Sequence, residues 1–568
     1  MLRERRWRML FLLGIILMLF GILAYRLTYL MLFPEESRLG SVSRTRTFFD
    51  TTAARRGNIY DCNGVALAIT VPTLEVGVDP RALLGKDVQA TMAVLADQLG
   101  ISVESIMERW RERLETIPHL RWIQLADGIS ESTYRRILNL KLPGVYGNRK
   151  FQRFYPQGSS ACHVIGFVNR ESIACCGVEK FADFFLSGQD GWIISEKDGK
   201  RQELVQYRSR NIPAVDGCDV YLNLNIAIQK IVENELGQIM ENFHPKFAVA
   251  IITEAKSGKL LALTCIPNYD LNNYGQFPMD CMRNRAIADV YEPGSVFKIV
   301  PACAGLEEGI IRPQTTFDCS RPFYEYGGKK YSLPKDHSAF GTLTLIEILR
   351  QSSNRGSAQI AIQLGKERFY SYVRAFGFGE KAGYGFDGEL AGILRPPHLW
   401  DGLTITRMPM GHAIGVTPMQ MHMAMSVLAS GGYLLTPLVL GKVATLNGDL
   451  PRGGNDMLLK PIIRRQVLGK QTVQSIRSIM ENSKYSNEFP FSISFKTGTT
   501  QKIIDGRYVH DRHIASCSGF FPSRDPRYVI TVVIDSPASD GSIAWGSRYA
   551  QPSFQRIALE LFRYMSTQ

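Results

Sequence analysis

The stretch YEPGSVFKIV, Tyr291 to Val300, is the one on which the reading of this 568-residue chain turns. Pro293-Gly294 allows a sharp entry into a helix that begins at or near Ser295. Residues three apart on a helix share a face, so the amine of Lys298 can reach the Ser295 hydroxyl. A serine hydroxyl needs a base to become a nucleophile, and a neutral lysine can serve. Lowering a lysine pKa by about three units costs about 4 kcal/mol, which burial and a second cation can supply. Alone, Ser-x-x-Lys is weak, since about two are expected by chance in a chain this long. The plain alternative is a hydroxyl that opens an apolar helix, and the decision rests on what accompanies it.

Downstream, RQSSNRGSAQIAIQLG places Ser352-Ser353-Asn354 at the start of a helical run. Ser352 offers a second hydroxyl to relay a proton, and Asn354 an amide to hold a substrate peptide bond. The competing reading is a helix N-cap, for which Ser and Asn are preferred. Further on, SISFKTGTT sets Lys496-Thr497-Gly498-Thr499 on a strand-like segment. The lysine supplies a positive field, Gly498 lets a substrate approach the backbone, and the threonines can bind a carboxylate. The alternative is a strand end with a snorkelling lysine.

The surrounding chain sets the context. Hydrophobic residues are 45% and charged residues 21% of the sequence, the composition of a folded protein of several domains. The formal net charge is +13. With no zinc-finger spacing, RNP-like motif or dense basic run, nucleic acid explains that charge poorly. Encounter with anionic membranes or wall polymers explains it better. The uncharged run MLFLLGIILMLFGILAY, Met9 to Tyr25, spans about 26 Å as a helix, near the lower limit for crossing a bilayer. LTYLMLF beyond Arg26 can extend it. Arg3, Arg5, Arg6 and Arg8 place the N-terminus in the cytoplasm. The run exceeds a usual signal-peptide core, and Ala24-Tyr25-Arg26 is a poor cleavage site, so an uncleaved anchor is expected. The ten cysteines then lie in the exported part. Their spacings fit neither a small disulfide framework nor a metal site, so packed thiols are expected.

The organisation reads as residues 1–8 cytoplasmic tail, 9–25 transmembrane anchor, 26–44 membrane-proximal stalk, 45–218 a β-rich domain and 219–568 a larger domain. In the first of these domains, Asp61-Cys62-Asn63-Gly64 has the turn chemistry of a hairpin, and VQATMAVLADQLG is a helix. Pro and Gly in NIPAVDGCD precede the helix LNIAIQKIVENELGQIM. FAVAIITEAKSGKLLALTCIP then reads as a strand pair. FSISFKTGTT, HIASCSGFFP and RYVITVVID are late strands, and PSFQRIALELFRYMS is an amphipathic closing helix. Early and late strands must share one antiparallel sheet sandwiched by helices, giving an α+β fold.

In this order the three motifs resemble the Ser-x-x-Lys, Ser-x-Asn and Lys-Thr-Gly set of penicillin-binding proteins and serine β-lactamases. The resemblance extends to the first domain. Arg56-Gly57-Asn58-Ile59-Tyr60-Asp61, followed by Asn63-Gly64, is similar to the first pedestal motif of class B penicillin-binding proteins. RFYPQGSSACHVIGFV, with Arg153, Gly158, His163 and Gly166, is similar to the second, and Gly177, Glu179, Leu186, Gly188 and Gly191 continue it. NRAIADVYEPGSVFK and GHAIGVTPMQM match further stretches. Cys62 departs from a common arginine, and Asn223-Leu224-Asn225 from the usual Thr-Ile-Asp.

The resemblance implies a single transmembrane helix, an elongated pedestal and a D,D-transpeptidase domain outside the cytoplasm. It implies that Ser295 attacks the bond between the terminal D-alanines of a peptidoglycan stem peptide, with Lys298 as base. The amine of a neighbouring stem peptide is the acceptor. Ser352 passes a proton to the leaving amine and Asn354 aligns the donor. Lys496, Thr497 and Thr499 face its carboxylate beside Gly498, and the N–H groups of Ser295 and Thr499 form the oxyanion hole. No metal or organic cofactor is implied, and β-lactams are expected as covalent inhibitors. Lys-Thr-Gly-Thr and Tyr-Glu-Pro-Gly-Ser resemble the division-specific branch. The implied partners are a membrane glycosyltransferase of the shape, elongation, division and sporulation (SEDS) class and other divisome proteins. An elongation enzyme and a scaffold of a wall-synthesis complex are the alternatives. A β-lactamase is disfavoured by the pedestal and by the absence of a recognisable deacylating glutamate, and a bifunctional class A enzyme by the pedestal sequence where a glycosyltransferase would lie. The pedestal motif has two readings: Arg56, Asp61 and Gly64 hold the hairpin and its domain together, or Arg56 belongs to a surface that docks the partner.

Overall fold

The structure is a computed structural model and describes residues 2–32, 46–85, 87–117, 120–198, 203–444, 457–481, 489–504, 506–538 and 543–567. Residues 33–45 of the expected stalk lie outside the described residues, as do the side chains of Arg3, Arg5 and Arg6. The chain divides into two compact units, Met1–Ala54 with Gln189–Asp216, and Arg55–Gly188 with Gly217–Gln568.

The first unit begins with one helix, Leu2–Leu32. Its segment Trp7–Leu32 is long and apolar enough to cross a membrane, so the helix runs past Arg26 as LTYLMLF suggested. The unit also holds a four-stranded sheet. Thr47–Thr52 pairs antiparallel with Gly191–Lys197, Thr47 opposite Glu196 and Thr52 opposite Gly191. Glu203–Leu204 and Arg210–Ile212 pair with the other side of Gly191–Lys197.

In the second unit the Asp61–Gly64 turn joins strands Ile59–Tyr60 and Ala66–Val78. The long strand Ala66–Val78 also pairs with Ile123–Ile129 and Val145–Phe154. Its alternate side chains Val76 and Val78 join Met92, Leu95, Ile106, Leu125 and Ile137 in a small core under helices Val88–Leu99, Val103–Thr116 and Glu131–Asn139. The expected boundary at 218/219 falls at the start of the strand Asp219–Leu222, which pairs parallel with Ile59–Tyr60 and antiparallel with Leu440–Ala444.

The catalytic half is built on five antiparallel strands in the order Leu260–Ile266, Phe247–Glu254, Tyr528–Asp535, Arg507–Phe521, Ser494–Ile504. Early and late segments share the sheet, as burial of both their faces requires. Strand side chains alternate between faces. Ala248, Ala250, Ile252, Ile530, Val532 and Ile534 pack with helices Ile226–Phe243 and Gly546–Ser566, including Val232, Leu236, Phe554 and Leu561. Val249, Ile251, Val529 and Val533 belong to the larger core with the wholly buried helix Pro418–Ala429. Asn225 caps Ile226–Phe243, its Oδ1 accepting from Ala227 N at 3.0 Å and Ile228 N at 3.3 Å. Asn and Asp serve this position equally well, so the departure from Thr-Ile-Asp leaves the cap intact.

Candidate active site

Ser295 lies on a 3₁₀ turn, Gly294–Lys298, which runs into the α-helix Ile299–Glu307. The sequence led to an α-helix from Ser295. The tighter turn makes residues three apart eclipse and brings Lys298 Nζ to 3.0 Å from Ser295 Oγ. Gly294 has φ +56°, and a Cβ there would meet Thr500 Cγ2 at 2.5 Å and Thr499 O at 3.0 Å. The Gly294–Lys298 turn and the Lys-Thr-Gly strand are therefore in direct contact.

The Ser-Ser-Asn segment divides the two readings between adjacent residues. Ser353 is the N-cap of helix Asn354–Leu364, its Oγ accepting from Gly356 N at 3.1 Å. Ser352 instead takes a left-handed backbone, φ +58°, uncommon for a residue with a Cβ. Its Oγ lies 3.1 Å from Lys298 Nζ and 3.0 Å from Lys496 Nζ. Lys298 also donates to Asn354 Oδ1 at 2.7 Å and to the Ser352 carbonyl. Asn354 Nδ2 donates to Lys335 O at 2.8 Å.

Lys496, Thr497, Gly498 and Thr499 lie on the edge strand Ser494–Ile504. A Cβ on Gly498 would meet Ser516 Oγ at 2.6 Å and Pro293 O at 2.8 Å, so the glycine is required by close packing within the chain itself. Thr499 Oγ1 accepts from Gly546 N at 2.8 Å, which leaves its hydroxyl proton free to donate.

Both lysines are buried. Burial pushes Lys298 far below the ordinary lysine range, the charge of Lys496 pushes the same way, and Asp336 opposes them. Burial lowers Lys496 to about 8. Burial and a neighbouring charge thus act together on Lys298, whereas Lys496, at about 8, keeps most of its charge at neutral pH. Lys298 Nζ thus faces four oxygens: Ser295 Oγ, Ser352 Oγ, the Ser352 carbonyl and Asn354 Oδ1.

Sequence reasoning missed Asp336. Its buried carboxylate accepts from Ser353 Oγ at 2.9 Å, from Arg355 N at 3.2 Å and from Asn354 N. It thus grips the start of the helix that aims Ser352 and Asn354. Nothing local marks Lys335-Asp336-His337, and the available signal was the need of two buried lysines for a countercharge. Among the described residues no cluster of His, Cys, Asp and Glu is arranged to hold a metal ion.

The pedestal motif residues gather elsewhere. Glu179 is 0% exposed and accepts from Arg56 Nε at 2.8 Å, Arg153 Nε at 2.7 Å and Tyr155 OH at 3.3 Å. The side chains of Arg56 and Arg153 are 12% and 6% exposed. Arg56 is therefore not the surface residue that the docking reading supposed. Arg153 Nη1 also donates to Gly57 O at 2.6 Å, and Gly57 lies so close to the Cys218 carbonyl that no Cβ fits. Asp61 accepts from Asn63 N and Val65 N at 2.8 Å and, through Oδ2, from Ile226 N at 3.1 Å. The hairpin turn and the first catalytic-domain helix thus share one carboxylate, with Gly64 turning at φ +82°. Gly158 O accepts from Leu271 N at 3.4 Å. His163 is held neutral by burial, which lowers it to about 4, and its Nε2 donates to Cys281 O at 2.8 Å. Gly166 (φ +72°) abuts the Cys176 carbonyl.

Residues 248–559 match the family described as Penicillin binding protein transpeptidase domain, and residues 51–222 the Penicillin-binding Protein dimerisation domain. The chain is 31% identical over 561 residues to stage V sporulation protein D of Bacillus subtilis, covering 96% of this chain and 84% of that protein. It is 27% identical over 569 residues to the peptidoglycan D,D-transpeptidase FtsI of Escherichia coli, covering 99% and 92%. The fold is shared with penicillin-binding protein 2X of Streptococcus thermophilus (TM-score 0.72, 22% identity, 91% of this chain and 80% of that one). It is shared also with penicillin-binding protein 3 of Mycobacterium tuberculosis in complex with aztreonam (TM-score 0.66, 24% identity, 91% and 97%).

Proposed function

The chain belongs to the class B penicillin-binding proteins, and from that premise we propose how its residues carry out peptidoglycan D,D-transpeptidation and where in the cell they do so. Ser295 loses its proton to Lys298 and attacks the carbonyl between the terminal D-alanines of a stem peptide. The N–H groups of Ser295 and Thr499 receive the oxyanion. Lys298 returns the proton through Ser352 to the leaving D-alanine nitrogen. The amine of a second stem peptide then displaces Ser295 Oγ from the acyl-enzyme and forms the cross-link. Asn354 aligns the donor, and the cation of Lys496 with Thr497 and Thr499 holds its carboxylate beside Gly498. The observation that carries this reading is the buried amine of Lys298, 3.0 Å from Ser295 Oγ and pushed well below the ordinary lysine range by burial and by the charge of Lys496.

Residues 219–568 are the transpeptidase domain in this reading and 45–218 the pedestal. The helix Leu2–Leu32 is a single-pass anchor, with residues 1–8 cytoplasmic by the arginine rule and the catalytic domain outside. The similarity to FtsI, with Tyr-Glu-Pro-Gly-Ser and Lys-Thr-Gly-Thr, favours septal wall synthesis alongside a SEDS glycosyltransferase and divisome proteins. A second reading, synthesis of a sporulation-specific wall, draws on the 31% identity to stage V sporulation protein D. Labelling with a fluorescent penicillin tests the chemistry. Wild type should label at one site and Ser295→Ala not at all, with the melting temperature of the variant near wild type. Full labelling of Ser295→Ala removes Ser295 from the mechanism.

A further inference from the structure

Beside the Gly294–Lys298 turn, on a segment that the proposed mechanism leaves unused, an imidazole lies against a carboxylate. Residues 411–416 run alongside 291–294. Tyr291 and Val416 exchange two backbone hydrogen bonds at 2.9 Å, and Gly294 N donates to Gly411 O at 3.2 Å. Gly411 approaches Gly294 so closely that no side chain fits, and Ser295 follows Gly294. The next residue on that segment is His412. Its Nδ1 lies 2.9 Å from Glu292 Oε2 and 3.3 Å from Tyr508 OH. Glu292 is fixed in turn. Its Oε1 accepts from Ala413 N at 2.9 Å, its Oε2 from Tyr508 OH at 3.1 Å, and its backbone carbonyl from Thr500 Oγ1 at 3.0 Å. Ala413 takes a left-handed φ of +58° to make its bond. The Glu292 side chain is 11% exposed and that of His412 24%. The titratable groups facing the imidazole are Glu292, from the entry to the nucleophile turn, and Tyr508, from the hairpin beyond Lys-Thr-Gly. Among the described residues Nε2 has no hydrogen-bond partner.

A carboxylate on Nδ1 with Nε2 left open is the arrangement that orients a histidine as a base. The second half of transpeptidation needs one. The acceptor is an alkylamine, which at neutral pH is almost wholly ammonium, with about one molecule in 10³ as free base. Lys298 and Ser352 are already assigned to the proton exchanged with Ser295 Oγ, so the ammonium proton needs another acceptor. We propose that His412, oriented by Glu292, takes that proton at Nε2. The neutral amine then attacks the acyl carbon, forming the C–N bond and breaking the C–Oγ bond. The second nitrogen proton returns to Ser295 Oγ through Lys298, and imidazolium releases its proton to solvent. The proposal rests on the transpeptidase reading above.

The test uses the full-length chain in detergent with a thioester analogue of the donor stem peptide and an alkylamine acceptor. The measured quantity is the ratio of amide product to hydrolysed acid, which does not depend on how fast the acyl-enzyme forms. His412→Gln keeps a donor for Glu292 but cannot carry a proton away. Its ratio should fall at least tenfold at about pH 7, as for loss of a general base. The deficit should close as pH rises toward about 10, where free amine is abundant. A purely structural change at His412 would lower the ratio equally at every pH. An unchanged ratio at neutral pH, or a deficit that persists at high pH, overturns the proposal. Failure of the wild type to form an acyl-enzyme overturns the transpeptidase reading and this inference with it.

Discussion

Glu179→Gln asks how much of the fold hangs on one buried carboxylate. The substitution keeps the size of the side chain and one acceptor oxygen but removes the charge. Arg56 retains Asp183 at 2.5 Å and the Glu179 carbonyl at 2.7 Å. Arg153 is left with neutral acceptors alone, Gly57 O at 2.6 Å and Thr70 Oγ1 at 2.9 Å, and its Nη2 has no acceptor among the described residues. Stranding a buried cation costs about 3–5 kcal/mol. A unit of 150–250 residues loses about 2–4 °C per kcal/mol. The expected fall in melting temperature of the detergent-solubilised chain is therefore on the order of 10 °C. Adding Arg153→Met removes the stranded guanidinium and should restore half of the loss or more, a non-additivity that only coupled sites show. A variant melting within about 2 °C of wild type, or a double variant no better than Glu179→Gln alone, refutes the account.

Two further outcomes separate roles inside the active site. Ser353→Ala should lower stability by about 1–2 kcal/mol through loss of the helix cap. Ser352→Ala should leave melting nearly unchanged and, as the proposed proton relay, slow penicillin acylation by tenfold or more; equal effects of the two on melting would undo that division. Because Lys496 is brought down to about 8, its ammonium is lost as pH rises through that value. Acylation by carboxylate-bearing β-lactams should decline over the same range. A rate flat to well above that value removes Lys496 as the carboxylate's cation.

What the sequence disclosed and what it withheld follow from the range of each interaction. The hairpin at Asp61–Gly64, the helix beginning after Asn225 and the strands of the central sheet are specified by neighbours in the chain, through turn residues, caps and apolar alternation. Ser295 and Lys298 were legible for the same reason, being three residues apart. The left-handed backbone of Ser352 and the countercharge of Asp336 arise only when distant segments meet, and no local pattern encodes them. The pairing of Thr47–Thr52 with Gly191–Lys197 brings together segments more than a hundred residues apart. For the pedestal motif the sequence left a structural and a docking reading open, and the contacts of Arg56 fit the structural one. Arg56 looks like a surface charge until Glu179, 123 positions away, is placed against it.

The proximity of two lysines to one hydroxyl also bears on which of them serves as base in the proposed mechanism. Ser352 Oγ lies within 3.1 Å of both amines, and two ammonium groups held this close in a buried site cannot both keep their protons cheaply. Lys298 carries the deeper depression, because burial and the field of Lys496 act on it together. Lys496 carries the shallower one and keeps its charge at neutral pH. Exchanging their roles would leave the ammonium of Lys298 0% exposed against Ser295, where it can donate to Oγ but cannot accept the hydroxyl proton. It would also put a neutral amine on the strand that receives the carboxylate of the donor. The asymmetry of the two sites thus supports the proposed mechanism, with the base on the Gly294–Lys298 turn, the cation on the Lys-Thr-Gly strand and Ser352 as the proposed bridge for the proton between Ser295 and the leaving nitrogen.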